Sequence, residues 1–138
     1  MFNKCSSLTT APKLPAAILT NNCYYAMFEY CTSLTVAPEL PATTLAASCY
    51  SFMFRGCTGL TTAPDLRAEK LVKACYLRMF WQCSSLNSVT MTATDISASS
   101  CLSDWLGGVS KTGTFKKNAS TDIPSGPSGI PEGWEVIF

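Results

Sequence analysis

The sequence repeats itself every 26 residues, and that period limits the fold more than any other feature. Met-Phe falls at Met1-Phe2, Met27-Phe28, Met53-Phe54 and Met79-Phe80. A cysteine follows each pair at Cys5, Cys31, Cys57 and Cys83, and another precedes at Cys23, Cys49, Cys75 and Cys101. Ala-Pro recurs at Ala11-Pro12, Ala37-Pro38 and Ala63-Pro64. A fixed period of this length marks an array of units that cannot bury their apolar faces alone and must stack on one another.

Each unit has two halves. The first carries apolar residues three apart, as in Leu34, Ala37, Leu40 and in Leu60, Ala63, Leu66, with β-favouring Thr between them. Pro38 and Pro64 lack an N–H, so a strand here must be short. The second half has apolar residues four apart: Leu19, Cys23, Met27, Cys31; Leu45, Cys49, Met53, Cys57; Leu71, Cys75, Met79, Cys83. This stripe predicts a helix of two to three turns, with Thr43-Thr44 and Gly56 as candidate caps. The fourth unit fades: Val89-Thr90 replaces Ala-Pro and Trp105-Leu106 replaces Met-Phe. Beyond Gly107-Gly108 the repeat ends. Residues 112–117 and Trp134–Phe138 read as strands around a Gly/Pro-rich turn segment, and Phe115, Ile130, Trp134 and Val136 suit a cap over the open end.

Composition fits an ordered chain. Charged residues make up 14% and hydrophobic residues 47%, which argues against disorder. A formal charge of +1 gives no electrostatic reason to bind nucleic acid or an anionic membrane. No apolar run approaches the roughly 18–20 residues of a membrane-spanning helix. The chain opens on Met1-Phe2 with no signal peptide, and Met1, Phe2, Cys5 and Leu8 are expected to form an uncapped apolar end.

The order Cys-x-x-Leu-x-x-apolar, Pro, Leu, stripe, apolar-Phe-x-x-Cys resembles the BspA-like leucine-rich repeats of surface proteins from anaerobic gut and oral bacteria. Met27-Phe28-x-x-Cys31 and Met53-Phe54-x-x-Cys57 occupy the closing motif. The likeness covers roughly residues 1–109. The tail, with Gly113-Thr-Phe115 and Gly129 to Trp134, is similar more weakly to the flank of related gut-bacterial and phage proteins. The unit here is longer than the family's, and Ala-Pro replaces a larger aliphatic. The resemblance implies adhesion or partner binding and transfers no catalytic residue. The fold class expected is therefore an α/β repeat. It is a leucine-rich-repeat solenoid of about four 26-residue units, each a short parallel strand plus a short helix. Residues 1–109 form the repeats and residues 110–138 a small β capping tail.

The eight cysteines admit a metal site, disulfides or a ladder of structural thiols. Separations alternating between 18 and 8, with no His in the chain, do not suit zinc. Side chains stacked in a column point in parallel, which is poor geometry for bridges. The reading adopted is structural thiols at Cys5, Cys23, Cys31, Cys49, Cys57, Cys75, Cys83 and Cys101, small apolar residues whose S–H meets a carbonyl. The aromatic columns Phe2, Phe28, Phe54, Phe80 and Tyr24, Tyr50, Tyr76 read as core packing, with the tyrosines the nearer to solvent. No nucleophilic triad can be assembled without His, and no carboxylates are paired in spacing, so no enzyme is expected and no cofactor. A hydrolase remains a remote alternative.

The open strand face is the candidate binding surface: Thr9, Thr10 and Lys13; Thr35, Val36 and Glu39; Thr61, Thr62 and Asp65; Asn87 and Ser88. Parallel stacking sets these side by side as a polar ribbon. The function expected is a noncatalytic binding or adhesion module of a bacterial or phage surface protein, extracellular or on a cell or virion surface. Its ligand would be a protein or glycan, with no nucleic-acid partner and no membrane insertion. The competing expectation is a spacer or terminal cap of a longer solenoid. A homodimer through the uncapped first coil is a further expectation.

Overall fold

In the computed structural model, which describes residues 2–138, the second half of each unit is a run of consecutive β-turns and not a helix. Among the described residues there is no α-helix, and the strands are three: β1 (Ser88–Met91), β2 (Thr114–Lys117) and β3 (Glu135–Ile137). They form one parallel sheet in the order β1-β2-β3, with Val89 opposite Phe115 and Phe115 opposite Val136. The expected leucine-rich-repeat solenoid of strand-plus-helix units is thus overturned. In the first three units the expected strands shrink to single parallel bridges, including Thr10 with Val36, Ile18 with Thr44 and Thr62 with Ser88. Met1, half of the first Met-Phe pair and of the expected uncapped end, lies outside the described residues.

Backbone bookkeeping shows why the turn segment is not helical. Odd-numbered residues donate three residues back: Cys49 to Ala46, Ser51 to Ser48, Met53 to Tyr50, Arg55 to Phe52 and Cys57 to Phe54, at 3.0–3.3 Å. Even-numbered residues donate out of their own coil: Ser48 to Lys73, Tyr50 to Cys75, Phe52 to Leu77, Phe54 to Met79 and Gly56 to Trp81, at 2.8–3.1 Å. The same alternation joins residues 22–30 to 47–55 and residues 74–82 to 99–107. In residues 22–31, 48–57 and 74–83 every N–H is paired, half within the turn and half with the next coil, as buried backbone demands.

The geometry needs a left-handed residue at every fourth position. Asn22, Ala26, Tyr30, Ser48, Phe52, Ala74, Arg78, Gln82, Ser100 and Asp104 have φ of +49° to +61°, and Gly56 and Gly108 hold equivalent places at +72° and +75°. A positive φ at the third residue of a turn is the type II pattern. For a non-glycine residue it costs about 1 kcal/mol or more. The bond to the next coil offsets this, since an unpaired buried N–H would cost a similar amount. Gly56, expected as a helix cap, is instead one of these turn residues.

The period still sets the packing. Leu45, Cys49, Met53 and Cys57 are all buried, as are Leu71, Cys75, Met79 and Cys83. Phe2, Phe28, Phe54 and Phe80 stack ring on ring at 5.5–5.6 Å. Tyr24, Tyr50, Tyr76 and Trp105 stack beside them at 6.0–6.1 Å. Tyr50 and Tyr76 are core residues, so the expectation that this column leans toward solvent fails beyond Tyr24. At the far end Phe115 meets Trp105 edge-on at 5.9 Å.

Candidate functional site

The ribbon residues come together along one side of the stack. Thr35 N–H donates to the Thr9 carbonyl at 3.1 Å, and its hydroxyl reaches the same oxygen at 3.4 Å. Asn87 N–H donates to the Thr61 carbonyl at 2.9 Å, and Ala63 N–H to the Ser88 carbonyl at 2.9 Å. Parallel pairing therefore places Thr10 beside Val36 and Thr62 beside Ser88. Thr9, Thr10, Lys13, Thr35, Val36, Glu39, Thr61, Thr62, Asp65 and Asn87 are exposed, and Ser88 is half-buried. Val36, at 56% exposure, is an apolar step in an otherwise polar row. An open groove of about 400 Å³ between the Pro turns of the first two coils has Lys13 and Glu39 on its walls with Pro12, Pro15, Pro38 and Pro41. A second, of about 330 Å³, runs between Thr35-Val36 and Thr61-Thr62. Asp65 stands 4.0 Å from Arg67, a solvent-exposed pair of little energetic weight.

The thiols belong to the turn half of each unit and not to the ribbon. All eight cysteines are free; Cys5 and Cys23 are half-buried and the other six are buried. Three of them make one repeated bond: Cys31 Sγ donates to the Phe2 carbonyl at 2.8 Å, Cys57 to Phe28 at 3.1 Å and Cys83 to Phe54 at 3.0 Å. Loss of water pushes the Cys49 thiol up to about 11 and the Cys57 and Cys75 thiols up to about 12. It raises Cys31, Cys83 and Cys101 as well. These are protonated packing groups at neutral pH, not nucleophiles. Among the described residues no cluster of three His, Cys, Asp or Glu side chains could hold a metal ion, and no helix is long and apolar enough to cross a membrane.

A second surface escaped the sequence reading. On the turn side Arg55 pairs with Glu29, and its guanidinium lies 5.0 Å from the ring centres of both Tyr30 and Phe52 and 5.8 Å from that of Trp81. Glu29 also accepts from the Asn3 amide at 2.9 Å. Arg78 lies 5.0 Å from the Trp81 ring and pairs with Asp104 at 3.5 Å. Tyr25, half-exposed, tilts against Phe52 at 5.4 Å. The signal was present, because Asn3, Glu29, Arg55 and Trp81 are each 26 apart, as are Phe52, Arg78 and Asp104. Read as four chemically different residues, the row Asn3, Glu29, Arg55 and Trp81 does not look like a repeat. Read as a stack of acid, cation and aromatic, it does.

Compared with protein-family models, with curated proteins and with solved structures, the chain matches none.

Proposed function

We propose that the chain is a noncatalytic binding module whose ligand, a protein or a glycan, lies along the Thr-rich ribbon. The observation that supports this is the exposed row Thr9-Thr10, Thr35-Val36, Thr61-Thr62 and Asn87, in which Thr10 pairs with Val36 and Thr62 with Ser88 as parallel strands do, with an open groove between the two pairs. Stacked coils use such rows as extended binding faces. Apart from Asn87 the side chains there are short and β-branched, so they lose little rotamer freedom when covered. The adhesive role implied by the BspA-like resemblance, and the surface setting that goes with it, belong to this proposal. The strand-plus-helix unit of that family does not. A terminal-cap role has one observation in its favour, since the last coil is closed by the chain's own tail through Ser128 and Pro127.

The test is a screen of the full chain against glycans and extracellular-matrix proteins. A double change, Thr35→Arg with Thr61→Arg, blocks the ribbon, and Lys73→Ala, exposed on the turn side, serves as control. Binding kept by the control and lost by the double variant, with unchanged melting, supports the ribbon. A ligand bound equally by all three would place the site elsewhere.

A further inference from the structure

On the turn side, every backbone–backbone hydrogen bond between coils points the same way. The N–H groups of Asn22, Tyr24, Ala26, Phe28 and Tyr30 donate to the carbonyls of Ala47, Cys49, Ser51, Met53 and Arg55, and the next two interfaces repeat the arrangement. Each coil therefore presents donors toward the C-terminal end of the stack and acceptors toward the N-terminal end. Two backbone donors of the last coil, and its indole, meet the tail. Asp104 N–H donates to Ser128 Oγ at 2.9 Å, Leu106 N–H to the Pro127 carbonyl at 3.1 Å and the Trp105 indole to the Gly129 carbonyl at 2.8 Å.

The first coil shows the opposite chemistry. The Met27 and Glu29 carbonyls accept from Phe2 and Lys4 at 3.0 and 2.7 Å. The carbonyls of Asn21, Cys23 and Tyr25, equivalent by the 26-residue period to those of Ala47, Cys49 and Ser51, receive no N–H among the described residues. Beside them, Phe2 and Tyr24 are the outermost, half-buried rings of the two aromatic columns.

We infer that the outer face of the first coil is an interaction surface fitted to one kind of partner: the N–H-bearing edge of a further coil of this same 26-residue kind. The argument is continuity, because such an edge makes on this face the bonds that already join coil to coil. Its rings would extend the Phe and Tyr columns, and its carbonyl at the Phe2-equivalent position would receive the Cys5 thiol, as Phe2 receives Cys31. A second first-coil face fits poorly. It would set a row of carbonyls against a row of carbonyls, leaving acceptors without donors at the cost that buried unpaired polar groups carry. On a second copy's last-coil face, Asp104, Trp105 and Leu106 are held by its own tail. The head-to-head homodimer expected from apolar surface alone thus conflicts with the direction of the backbone.

A copy of residues 1–26 placed ahead of Met1 keeps the period. It brings the N–H groups of the copied Asn22, Tyr24 and Ala26 to the carbonyls of Asn21, Cys23 and Tyr25. The extended chain is expected to melt in one transition above the parent's, with those three copied amides exchanging about tenfold or more slowly than in an unfolded chain. Changing the copied Tyr24 to Pro removes the central donor and is expected to abolish both effects while the original chain melts as before. Exchange of the copied segment at unfolded rates would overturn the inference. So would a concentration-independent dimer of the parent chain that Phe2→Glu dissociates, since like faces would then be meeting.

Discussion

Tyr30 lies against Gly56 of the next coil, so close that a Cβ added at Gly56 would stand 2.3 Å from the ring's Cδ1. Trp81 covers Gly107 in the same way, with a Cβ there 2.7 Å from its indole Cδ1. The ring also forms one wall of the Arg55 cage, so a glycine, a tyrosine and an arginine from two coils act as a single packing unit. Gly56→Ala is expected to destabilise by more than about 2 kcal/mol. Roughly 1 kcal/mol comes from the left-handed backbone, with φ at +72°, and the remainder from the displaced ring. In a Tyr30→Ala background only the backbone part should persist. Denaturant melts of the double-mutant cycle measure the coupling, and additive losses would show that the ring moves aside freely.

Removing the cation from the same cage has a different consequence. Glu29 is only 8% exposed and its charge is held by Arg55 and by Asn3. Arg55→Ala leaves that carboxylate short of its main partner and empties the space between Tyr30 and Phe52. A loss of roughly 2–3 kcal/mol is expected, below the 3–5 typical of a fully buried pair because the guanidinium is partly open to water. Arg55→Lys keeps the charge but not the planar stacking, and should recover only part of the loss. Full recovery by lysine would mean that charge alone matters there.

Stability sits in the aromatic columns and not in the ribbon. Phe54 is fully buried between Phe28 and Phe80, so Phe54→Ala is expected to cost about 3–5 kcal/mol. Thr61→Ala, on the exposed row, should cost less than about 0.5 kcal/mol. Equal losses in thermal or denaturant unfolding would contradict the assignment of the two faces.

The positions that repeat were legible in the sequence; the backbone between them was misread. Phe28, Phe54 and Phe80 advertise their stack through the period alone, whatever the local conformation. Leu45, Cys49, Met53 and Cys57 suggested a helix because four is near 3.6. An α-helix, however, turns about 40° too far at each four-residue step, which would carry Cys57 about 120° away from Leu45. All four are buried, and what excludes a helix is the alternation of backbone bonds within and between coils. The left-handed residues hide for another reason. Ala26, Phe52 and Arg78 have no intrinsic preference for φ above zero, and only the bond each makes to the next coil holds them there. The ribbon could be placed from Thr9, Thr35 and Thr61 because Pro and Thr mark the extended half of each unit. The Arg55 cage could not, since its members are unlike one another and become a set only when the coils are stacked.

The thiols make stability depend on alkaline pH. Burial lifts Cys49 to about 11 and Cys57 and Cys75 to about 12, and lifts Cys31, Cys83 and Cys101 too. In the unfolded chain a thiol ionises near about 8.5. The sign follows from proton binding: above that pH the unfolded state has released protons that the folded state still holds, so raising the pH favours unfolding. The contribution is intact below about pH 8.5 and is lost as the pH climbs toward the folded values. Each thiol ionised only in the unfolded chain removes about 1.4 kcal/mol per pH unit. Denaturant melts under reductant should therefore be nearly level from pH 6 to 8 and fall steeply from about 9 to 11. Cys57→Ala should be weaker at pH 7, having lost packing and the bond to Phe28, yet fall less steeply above pH 9 by about one proton's worth. Under the same conditions all eight thiols should be titratable in denaturant, and in the native protein Cys5 and Cys23, the two half-buried ones, should react first. A stability that stays level to pH 10.5, or thiols missing from the denatured count, would mean that the sulfurs are not the buried, protonated ladder the stack requires.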